Sequence, residues 1–422
     1  MRDHPVLGQV ALGYSPMIDR QRNVVATRLT VFPDRPDATP DAAALLAALE
    51  DVWPSANGAD EPLKLAPRPL DPGAVVSRSA VRPPVSLNLA GEQLLRSMMA
   101  AGPGAHVMVE VPAFMAGSGE DAAALRQLHD GGAVMLIKGR PLSPLAPEVL
   151  AMFSHSIVEA GEDRRTATPP PPGVRSVTTV QAGARSSAEI EAAFERGAIA
   201  VLGWPWDDAP PKPLGRGNVP ADVTTVMELI QGVDREDSVP KLEAVLRRDP
   251  TLAFRLMRYL NSPAFGLSVE INSFGHALQM LGYQRLKRWL ALLLASSAKG
   301  VNAKPVIFAA VRRGLFLESL CPDPKDSQLR GEMFICGVFS LLDRLLNQPI
   351  SDLLGSVPVP DGVRQALLGE GGPYLPYVEL VRAIELESVF DIRERSEALM
   401  LSSAAVNRAV LDALRGGRQL EG

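Results

Sequence analysis

The first half of the chain alternates short apolar segments with stretches of helical periodicity. The apolar segments have the length and near-continuous hydrophobicity of buried strands, and they are 85–89, 106–111, 133–137, 156–159, 174–181 and 198–203. Helical spacing is found at 91–101, 120–128, 147–153 and 187–196. Repeated strand–helix units predict a parallel sheet, either open or closed into a barrel. Residues 1–208 are at the lower edge of the size of a (β/α)8 barrel, about 200 residues, so we expect trimmed elements.

The second half has almost no strand pattern and predicts helices only. Asp249-Pro250 supplies an N-cap and a proline at the first helical position, and Asn261-Ser262-Pro263 ends the apolar helix that follows. We interpret both groups as structural brackets of a core helix. A helix over 273–281 is predicted to stop at Gly282, and 284–298 is apolar nearly all round and so central to a core. Further helices are predicted at 304–320, 330–346, 350–354, 361–368, 376–386 and 393–414.

Two proline-rich segments interrupt these patterns. Residues 168–173 lie between two predicted strands and are typical of a surface loop. Residues 207–215 mark a better domain boundary, because the pattern changes from α/β to all-α across them. We therefore predict an α/β barrel at 1–208, a Pro/Gly linker at 209–217 and an all-helical domain at 218–422, with protease-sensitive sites in the two proline-rich segments.

Composition narrows the class of protein. The length of 422 residues favours two domains, and the net charge of −5 gives neither half the basic balance of a general nucleic-acid binder. The two cysteines, Cys321 and Cys336, form no CxxC pair, and we expect buried free thiols in a reducing compartment. The N-terminal residues lack the apolar core of a signal peptide, and the longest apolar run, near 290–295, is far shorter than a membrane span of about 18 residues. We expect a soluble, cytoplasmic protein with no membrane contact.

The helical half resembles the HDOD domain family. Residues 247–266 are similar to its DP-x-L…NS-x-x-F signature, and 334–343 resemble a G-x-F-S-L-L-D segment of EAL–HDOD fusion proteins. The resemblance implies the fold of HD phosphohydrolases without their metal site. His276 is followed by Ala277 rather than aspartate, and one histidine cannot hold a hydrolytic metal site. We expect His276 to be a surface or capped helix residue, and His129-Asp130 to be a chance dipeptide.

The first half resembles the EAL domain, a cyclic di-GMP phosphodiesterase barrel. The similarity lies in 16–19, 24–25, 85–89 and 109–112. Working EAL enzymes hold divalent metals with carboxylates and an asparagine, and the metals activate water for attack on a phosphodiester. Aligned on the family's motifs, the signature glutamate is Arg28, the paired aspartates are Lys138-Gly139, and the general-base lysine strand is 156–159, which has no lysine.

Only Asn88 and Glu110 remain of the metal set, as vestiges. Replacing carboxylates by Arg and Lys reverses the charge of the site and repels Mg²⁺ or Mn²⁺. The resemblance, with these departures, implies no catalytic residue, no metal and no cofactor. We therefore predict a degenerate EAL-like, TIM-like barrel that has kept its fold and lost its chemistry.

The leading hypothesis is a non-catalytic bacterial signalling protein that acts through protein partners. We do not expect cyclic di-GMP to bind, but residual binding or hydrolysis by the barrel is kept as the alternative. A second alternative is DNA binding through the helix pair around Gly282, with Arg285, Lys287 and Arg288 as phosphate contacts. We expect these three residues, like Arg247-Arg248 and Arg312-Arg313, to be exposed charge instead.

Overall fold

The computed structural model describes residues 4–421 except 36–37, 55–83, 105–106, 142–143, 163–176, 207, 209–220, 249–273, 299, 356 and 358. The chain divides into two compact units. The first comprises Met1–Asp208 together with Ala383–Arg408, and the second comprises Ala209–Arg382 together with Ala409–Gly422. We call Ala383–Arg408 the return segment, because the chain comes back to the first unit there. The predicted 218–422 domain differs from this division at the return segment, and the predicted linker and loop lie outside the described residues.

The first unit is built on a closed eight-stranded barrel in which neighbours in sequence are neighbours in space. The strands are β1 Val10–Asp19, β2 Val24–Pro33, β3 Val85–Leu89, β4 Val107–Pro112, β5 Val134–Lys138, β6 Phe153–Glu159, β7 Thr178–Ala182 and β8 Ala200–Leu202. β1 is antiparallel to both β2 and β8, and the remaining pairs are parallel. The prediction of an α/β barrel is confirmed, whereas its expected all-parallel sheet misses the antiparallel first strand.

Helices of the first unit follow the strands and end where local signals place them. They are α1 Ala42–Glu50, α2 Glu92–Ala101, α3 Ala113–Ala116, α4 Ala122–Asp130, α5 Pro147–Leu150 and α6 Ser187–Glu195. Ser186 and Glu189 form a reciprocal capping box at the start of α6, and Gly102 ends α2 in the left-handed conformation. The four helices predicted in this half all form, within a few residues of their predicted ends.

The barrel interior has an apolar layer and a polar layer. Successive residues of a strand face opposite sides, so every second residue points inward. The apolar layer is a buried cluster of Met17, Ala26, Met108, Leu136, Ile157, Val180, Ala182, Ala200 and Leu202. Two residues further towards the carboxyl ends of β2, β4 and β5, the inward positions are Arg28, Glu110 and Lys138. The polar layer therefore lies where the strands of an α/β barrel carry functional residues.

The return segment packs on β1 and β2 through backbone and side-chain contacts. It contains the end of helix α15 Leu375–Glu385 and all of helix α16 Val389–Ala398. The buried Asn407 accepts a hydrogen bond from the Leu12 amide at 3.0 Å and donates from Nδ2 to the carbonyls of Leu7 and Val10 at 2.7 and 2.6 Å. Arg393 donates to the carbonyls of Pro33 and Asp34. These bonds satisfy the backbone of β1 and its flank, as buried polar groups require.

The second unit is helical throughout its described residues. Its helices are α7 Ala221–Asp234, α8 Val239–Leu246, α9 Phe274–Ser296, α10 Ala303–Ser319, α11 Ser327–Phe339, α12 Leu342–Leu346, α13 Ile350–Leu353 and α14 Asp361–Leu368. Helix α15 Leu375–Glu385 leads into the return segment, and α17 Ser403–Glu421 leads out of it. The predicted all-α architecture is confirmed. The helix bracketed by Asp249 and Asn261 lies outside the described residues.

One predicted break is found, and two predicted helices are divided. The predicted break at Gly282 is present, because its φ of 72° and ψ of 167° are non-helical and separate two helical stretches within α9. The predicted 330–346 helix divides into α11 and α12 at Ser340 and Leu341. The predicted 393–414 helix divides into α16 and α17, because Met400 adopts the left-handed φ of 54°. In the described part of the chain, no helix is both long enough and apolar enough to cross a membrane.

Candidate functional site

Strand register brings the predicted site residues together at the carboxyl end of the barrel. Arg28 on β2 is opposite Ser86 on β3, and Thr30 is opposite Asn88. Glu110 follows on β4 and Lys138 ends β5. Because these positions are all inward-facing, side chains that are distant in sequence line one polar cavity wall. The fold therefore brings together the four residues that the family resemblance pointed to, which are Arg28, Asn88, Glu110 and Lys138.

Arg28 and Glu110 form a two-pronged ion pair inside the barrel. Arg28 Nη2 donates to Glu110 Oε2 at 2.7 Å and Arg28 Nε donates to Oε1 at 2.9 Å. Ser86 Oγ adds a third hydrogen bond to Glu110 Oε1 at 2.9 Å. Both side chains are buried, so the charges are taken out of water and hold each other in place. Both oxygens of the Glu110 carboxylate thus accept hydrogen bonds from protein donors.

Asn88 is engaged by a second cation. Lys138 Nζ donates to Asn88 Oδ1 at 2.7 Å, and Asn88 Nδ2 donates to Thr30 Oγ1 at 3.0 Å. The oxygen that could serve as a metal ligand therefore faces an ammonium group. Asn88 and Glu110 are thus each bound to a basic side chain of the same barrel.

A second acidic residue comes from the return segment. Glu387 accepts hydrogen bonds from Ser15 Oγ at 2.8 Å and from Thr30 Oγ1 at 2.6 Å, and its Oε2 lies 3.8 Å from Arg28 Nη1. Glu387 was not predicted from the sequence. Its only local signal was the end of a predicted helix at 386, which indicates a turn and says nothing about a partner more than 350 residues away.

The charges of the site explain two pKa shifts. Burial disfavours the charged form of Arg28, but attraction to Glu110, Glu387 and Glu159 outweighs it and raises the pKa of the guanidinium. Burial lowers the pKa of the Lys138 ammonium, against the attraction of Glu110, and the nearby positive charge of Arg28 lowers it further. The basic and acidic side chains of the site therefore compensate one another's charges.

A small pocket of about 200 Å³ opens beside these groups. Ser15, Arg28 and Glu387 line one part, and Glu159 and Arg185 line another. Trp204 lies on the wall, stacks on Trp206 with ring centroids 5.1 Å apart, and donates from Nε1 to the Glu385 carbonyl at 2.9 Å. The return segment therefore forms part of this pocket's wall.

The helical unit holds few candidates for chemistry. His276 is half-buried in α9, and His129 of the barrel unit is exposed with its Nδ1 3.4 Å from Asp130 Oδ1. Cys321 and Cys336 are buried free thiols, as predicted, and burial raises the pKa of Cys336 to about 12. Among the described residues, no group of three or more His, Cys, Asp or Glu side chains is arranged to hold a metal ion.

The expectation that the basic residues of this unit are exposed is correct for Arg247, Arg248 and Arg285 only. Lys287 is buried and pairs with Asp234, and Arg288 bonds Glu318 at 2.7 Å and covers the Phe334 ring. Arg312 and Arg313 are each only 2% exposed. Lys287 and Arg288 pair with carboxylates, and Arg312 and Arg313 are buried, so this part of the prediction is wrong.

Comparison with known proteins assigns the helical half. Residues 219–345 match the family model of the HDOD domain. The chain is 33% identical over 162 residues to the Bacillus subtilis protein named uncharacterized protein YuxH, covering 37% of this chain and 39% of that one. It is 26% identical over 180 residues to the cyclic di-GMP phosphodiesterase CdgJ of Vibrio cholerae, covering 43% and 42%. The chain spans about two fifths of the length of these curated relatives.

Among the solved structures that match, two with bound cyclic di-GMP are each 14% identical to this chain. The PaMucR phosphodiesterase in complex with cyclic di-GMP has a TM-score of 0.30 and covers 46% of this chain and 94% of that one. Klebsiella pneumoniae BlrP1 with calcium and cyclic di-GMP has a TM-score of 0.30 and covers 48% and 56%. We take the barrel fold from its own closed strand order. The chain therefore carries an HDOD domain at residues 219–345, which follows an eight-stranded α/β barrel.

Proposed function

We propose that this protein is a non-catalytic regulator related to cyclic di-GMP signalling proteins, and that it acts by contacting other proteins. The observation that carries the proposal is the buried Arg28–Glu110 pair. The resemblance to the EAL family places a metal-binding carboxylate at Arg28, and the guanidinium found there takes up both oxygens of Glu110. The barrel has thus exchanged a metal-binding arrangement for an ion pair.

Electrostatics supports the loss of metal binding. A divalent cation at Glu110 and Asn88 would lie next to the fixed charge of Arg28 and close to Lys138. Divalent Mg²⁺ and Mn²⁺ need several oxygen ligands, preferably carboxylates, and repulsion between like charges opposes their entry. Without such a cation, this barrel lacks the metal that EAL enzymes use to activate water.

We assign the contact with other proteins to the HDOD domain, because that domain lacks the residues of a hydrolytic site. Its single histidine, His276, is followed by alanine, so it lacks the His-Asp doublet of a hydrolytic HD site. Cys336, which could otherwise serve as a nucleophile, is buried with a raised pKa and is therefore protonated near neutral pH. Recognition of another protein is the function that such a domain supports best.

Titration with Mn²⁺ tests the proposal at the barrel. We expect the protein to bind no Mn²⁺ in a way that depends on Glu110, so calorimetric titrations of the wild type and of Glu110→Gln should coincide. Arg28→Glu removes the guanidinium and restores a carboxylate, and it provides the matched contrast. Stoichiometric binding to the wild type that is lost in Glu110→Gln would contradict the proposal.

The alternative of cyclic di-GMP binding without turnover is separated by a second titration. The carboxyl end of the barrel is lined partly by the return segment, which leaves a pocket of only about 200 Å³ among the described residues. We expect no calorimetric signal with cyclic di-GMP at micromolar protein. A saturable signal that is removed by substitution of Arg185, which lines the pocket, would support the alternative.

A further inference from the structure

The barrel holds a carboxylate in a receptor made of three of its own side chains. Ser15 Oγ and Thr30 Oγ1 each donate to one oxygen of Glu387, at 2.8 and 2.6 Å, and Arg28 supplies positive charge 3.8 Å away. Thr30 is oriented for this role because its hydroxyl also accepts a hydrogen bond from Asn88. Two hydroxyl donors and a guanidinium form a recognition set for a carboxylate.

The backbone around Glu387 is unusual and is held in place from both sides. Glu387 has φ 55°, in the left-handed region that favours glycine. Its amide bonds the Ile384 carbonyl at 3.1 Å and the Ser388 amide bonds the Ala383 carbonyl at 3.1 Å, which is the Schellman pattern of a helix end. A glutamate therefore occupies the position where glycine would be least strained.

The barrel accommodates the return segment at a matching point. Gly13 of β1 has no side chain, and a Cβ there would lie 3.0 Å from the Ile384 carbonyl oxygen and 3.0 Å from Glu387 Cα. Such an approach is tighter than ordinary packing allows, so a larger residue would displace the segment. At this contact, a glycine stands where the return segment comes close to β1, and a glutamate stands where the backbone conformation favours glycine.

We propose that Ser15, Thr30 and Arg28 form a carboxylate-binding site whose resident ligand is the chain's own Glu387, so that the return segment acts as an internal inhibitor of access to the barrel. A small organic carboxylate is the class of ligand that would compete with Glu387 for the site. This inference goes beyond the proposed function, because it holds whether or not the barrel hydrolyses a phosphodiester.

The chain contains a matched control for the backbone strain. Met400 lies in the same return segment, has φ 54°, and sits in the same hydrogen-bond pattern, with Leu401 bonded to Ser396 and Met400 bonded to Glu397. Its side chain is 93% exposed, so Met400→Gly relieves strain without removing a contact. Glu387→Gly relieves the same strain and removes the carboxylate.

The test compares the melting temperatures of these two variants of the full chain with and without formate. We expect Met400→Gly to melt about 1–4 °C above the wild type, and Glu387→Gly to melt below Met400→Gly. Formate at high concentration, against chloride of equal ionic strength, should raise the melting temperature of Glu387→Gly alone, because it refills the vacated site. The proposal is overturned if Glu387→Gly melts as high as Met400→Gly, or if formate raises both variants equally.

A second measurement covers the case in which the melting transition is too broad to compare. Hydrogen exchange of residues 383–408 should be at least about tenfold faster in Gly13→Leu and in Glu387→Gly than in the wild type, and formate should slow it in Glu387→Gly only. Unchanged exchange in both variants would show that the receptor does not hold the segment, and the inference would be wrong.

Discussion

Arg28 illustrates how one side chain decides the character of the barrel. A buried guanidinium needs a carboxylate partner, and Glu110 supplies two oxygens at hydrogen-bonding distance. Removing one member of a buried pair leaves the other charge without compensation, which costs more than the pair itself contributes. The Arg28–Glu110 pair is therefore expected to contribute to the stability of the barrel.

Arg28→Ala should lower the free energy of unfolding of the barrel unit by about 3–5 kcal/mol, because Glu110 stays buried without its partner. The double variant Arg28→Met, Glu110→Leu removes both charges and should be less destabilised than the single one. Urea denaturation followed by circular dichroism measures both. Equal stability of Arg28→Ala and the wild type would contradict the ion-pair account.

The reactivity of Cys321 and Cys336 tests whether these two thiols are buried inside the second unit. The pKa of Cys336 is raised to about 12 and that of Cys321 is also raised, chiefly by burial. A raised pKa means that less thiolate is present at any pH below it, so at pH 8 the native thiols should react with a disulfide reagent more than about tenfold more slowly than in guanidinium. Cys336→Ala assigns the residual rate. Rapid modification of Cys336 in the native protein would be inconsistent with the fold described.

At the scale of elements, the return segment is attached to β1 and β2 through side chains that bond to the backbone. The side chain of Asn407 accepts a hydrogen bond from the Leu12 amide and donates to the carbonyls of Leu7 and Val10. The Leu12 amide and the Leu7 and Val10 carbonyls therefore find a hydrogen-bond partner in the return segment. The return segment thus contributes hydrogen bonds that backbone groups of the barrel unit require.

Asn407→Leu should therefore destabilise the protein by about 2–4 kcal/mol, since several buried backbone groups lose their partner. Hydrogen exchange at the Leu12 amide should quicken in the same variant. Gln279→Ala, an exposed amide on a helix, is the control and should stay within about 0.5 kcal/mol of the wild type. If both substitutions had the same small effect, the role given to Asn407 would have to be withdrawn.

Periodicity predicted most elements and could not predict their partners. Strands β3 to β8 and most helices were predicted from apolar spacing, because burial of one face leaves a local mark in the sequence. β1 and β2 were not predicted as strands, although residues within them were matched to a family motif, and the attachment of residues 383–408 to the barrel was missed. Contacts such as Ser15 with Glu387 join positions more than 350 residues apart, and no local pattern encodes such a pair.

Four members of the site were predicted, but their hydrogen bonds were not, and Ser15, Thr30 and Glu387 were missed. Arg28, Asn88, Glu110 and Lys138 were named from the family resemblance, and the barrel brings them together. That Arg28 would bond Glu110 and Lys138 would bond Asn88 depends on strand register, which sequence alone does not fix. Buried Arg312 and Arg313 were missed for a related reason, since charge alone suggested exposure.

At the scale of the whole molecule, the chain enters the barrel unit twice. Residues 1–208 and 383–408 belong to one unit, and 209–382 and 409–422 to the other. The barrel therefore cannot be separated from the rest by a single cut without leaving its own return segment on the other fragment.

Limited proteolysis tests this organisation. We expect cleavage near Pro210–Gly215, and the two resulting fragments should co-elute in gel filtration because 383–408 stays bound to the barrel. Urea should separate them. Fragments that part under native conditions, or first cuts within the barrel strands, would argue against the division into these units.

Hydrolysis of cyclic di-GMP is the measurement that tests the central claim most directly. Purified full chain with Mg²⁺ or Mn²⁺ is incubated with cyclic di-GMP, and the linear product is quantified by chromatography against a metal-only blank. The account predicts no product above the blank, because Arg28 and Lys138 occupy the oxygens a metal would need. Product formation by the wild type that disappears in Glu110→Gln would contradict it.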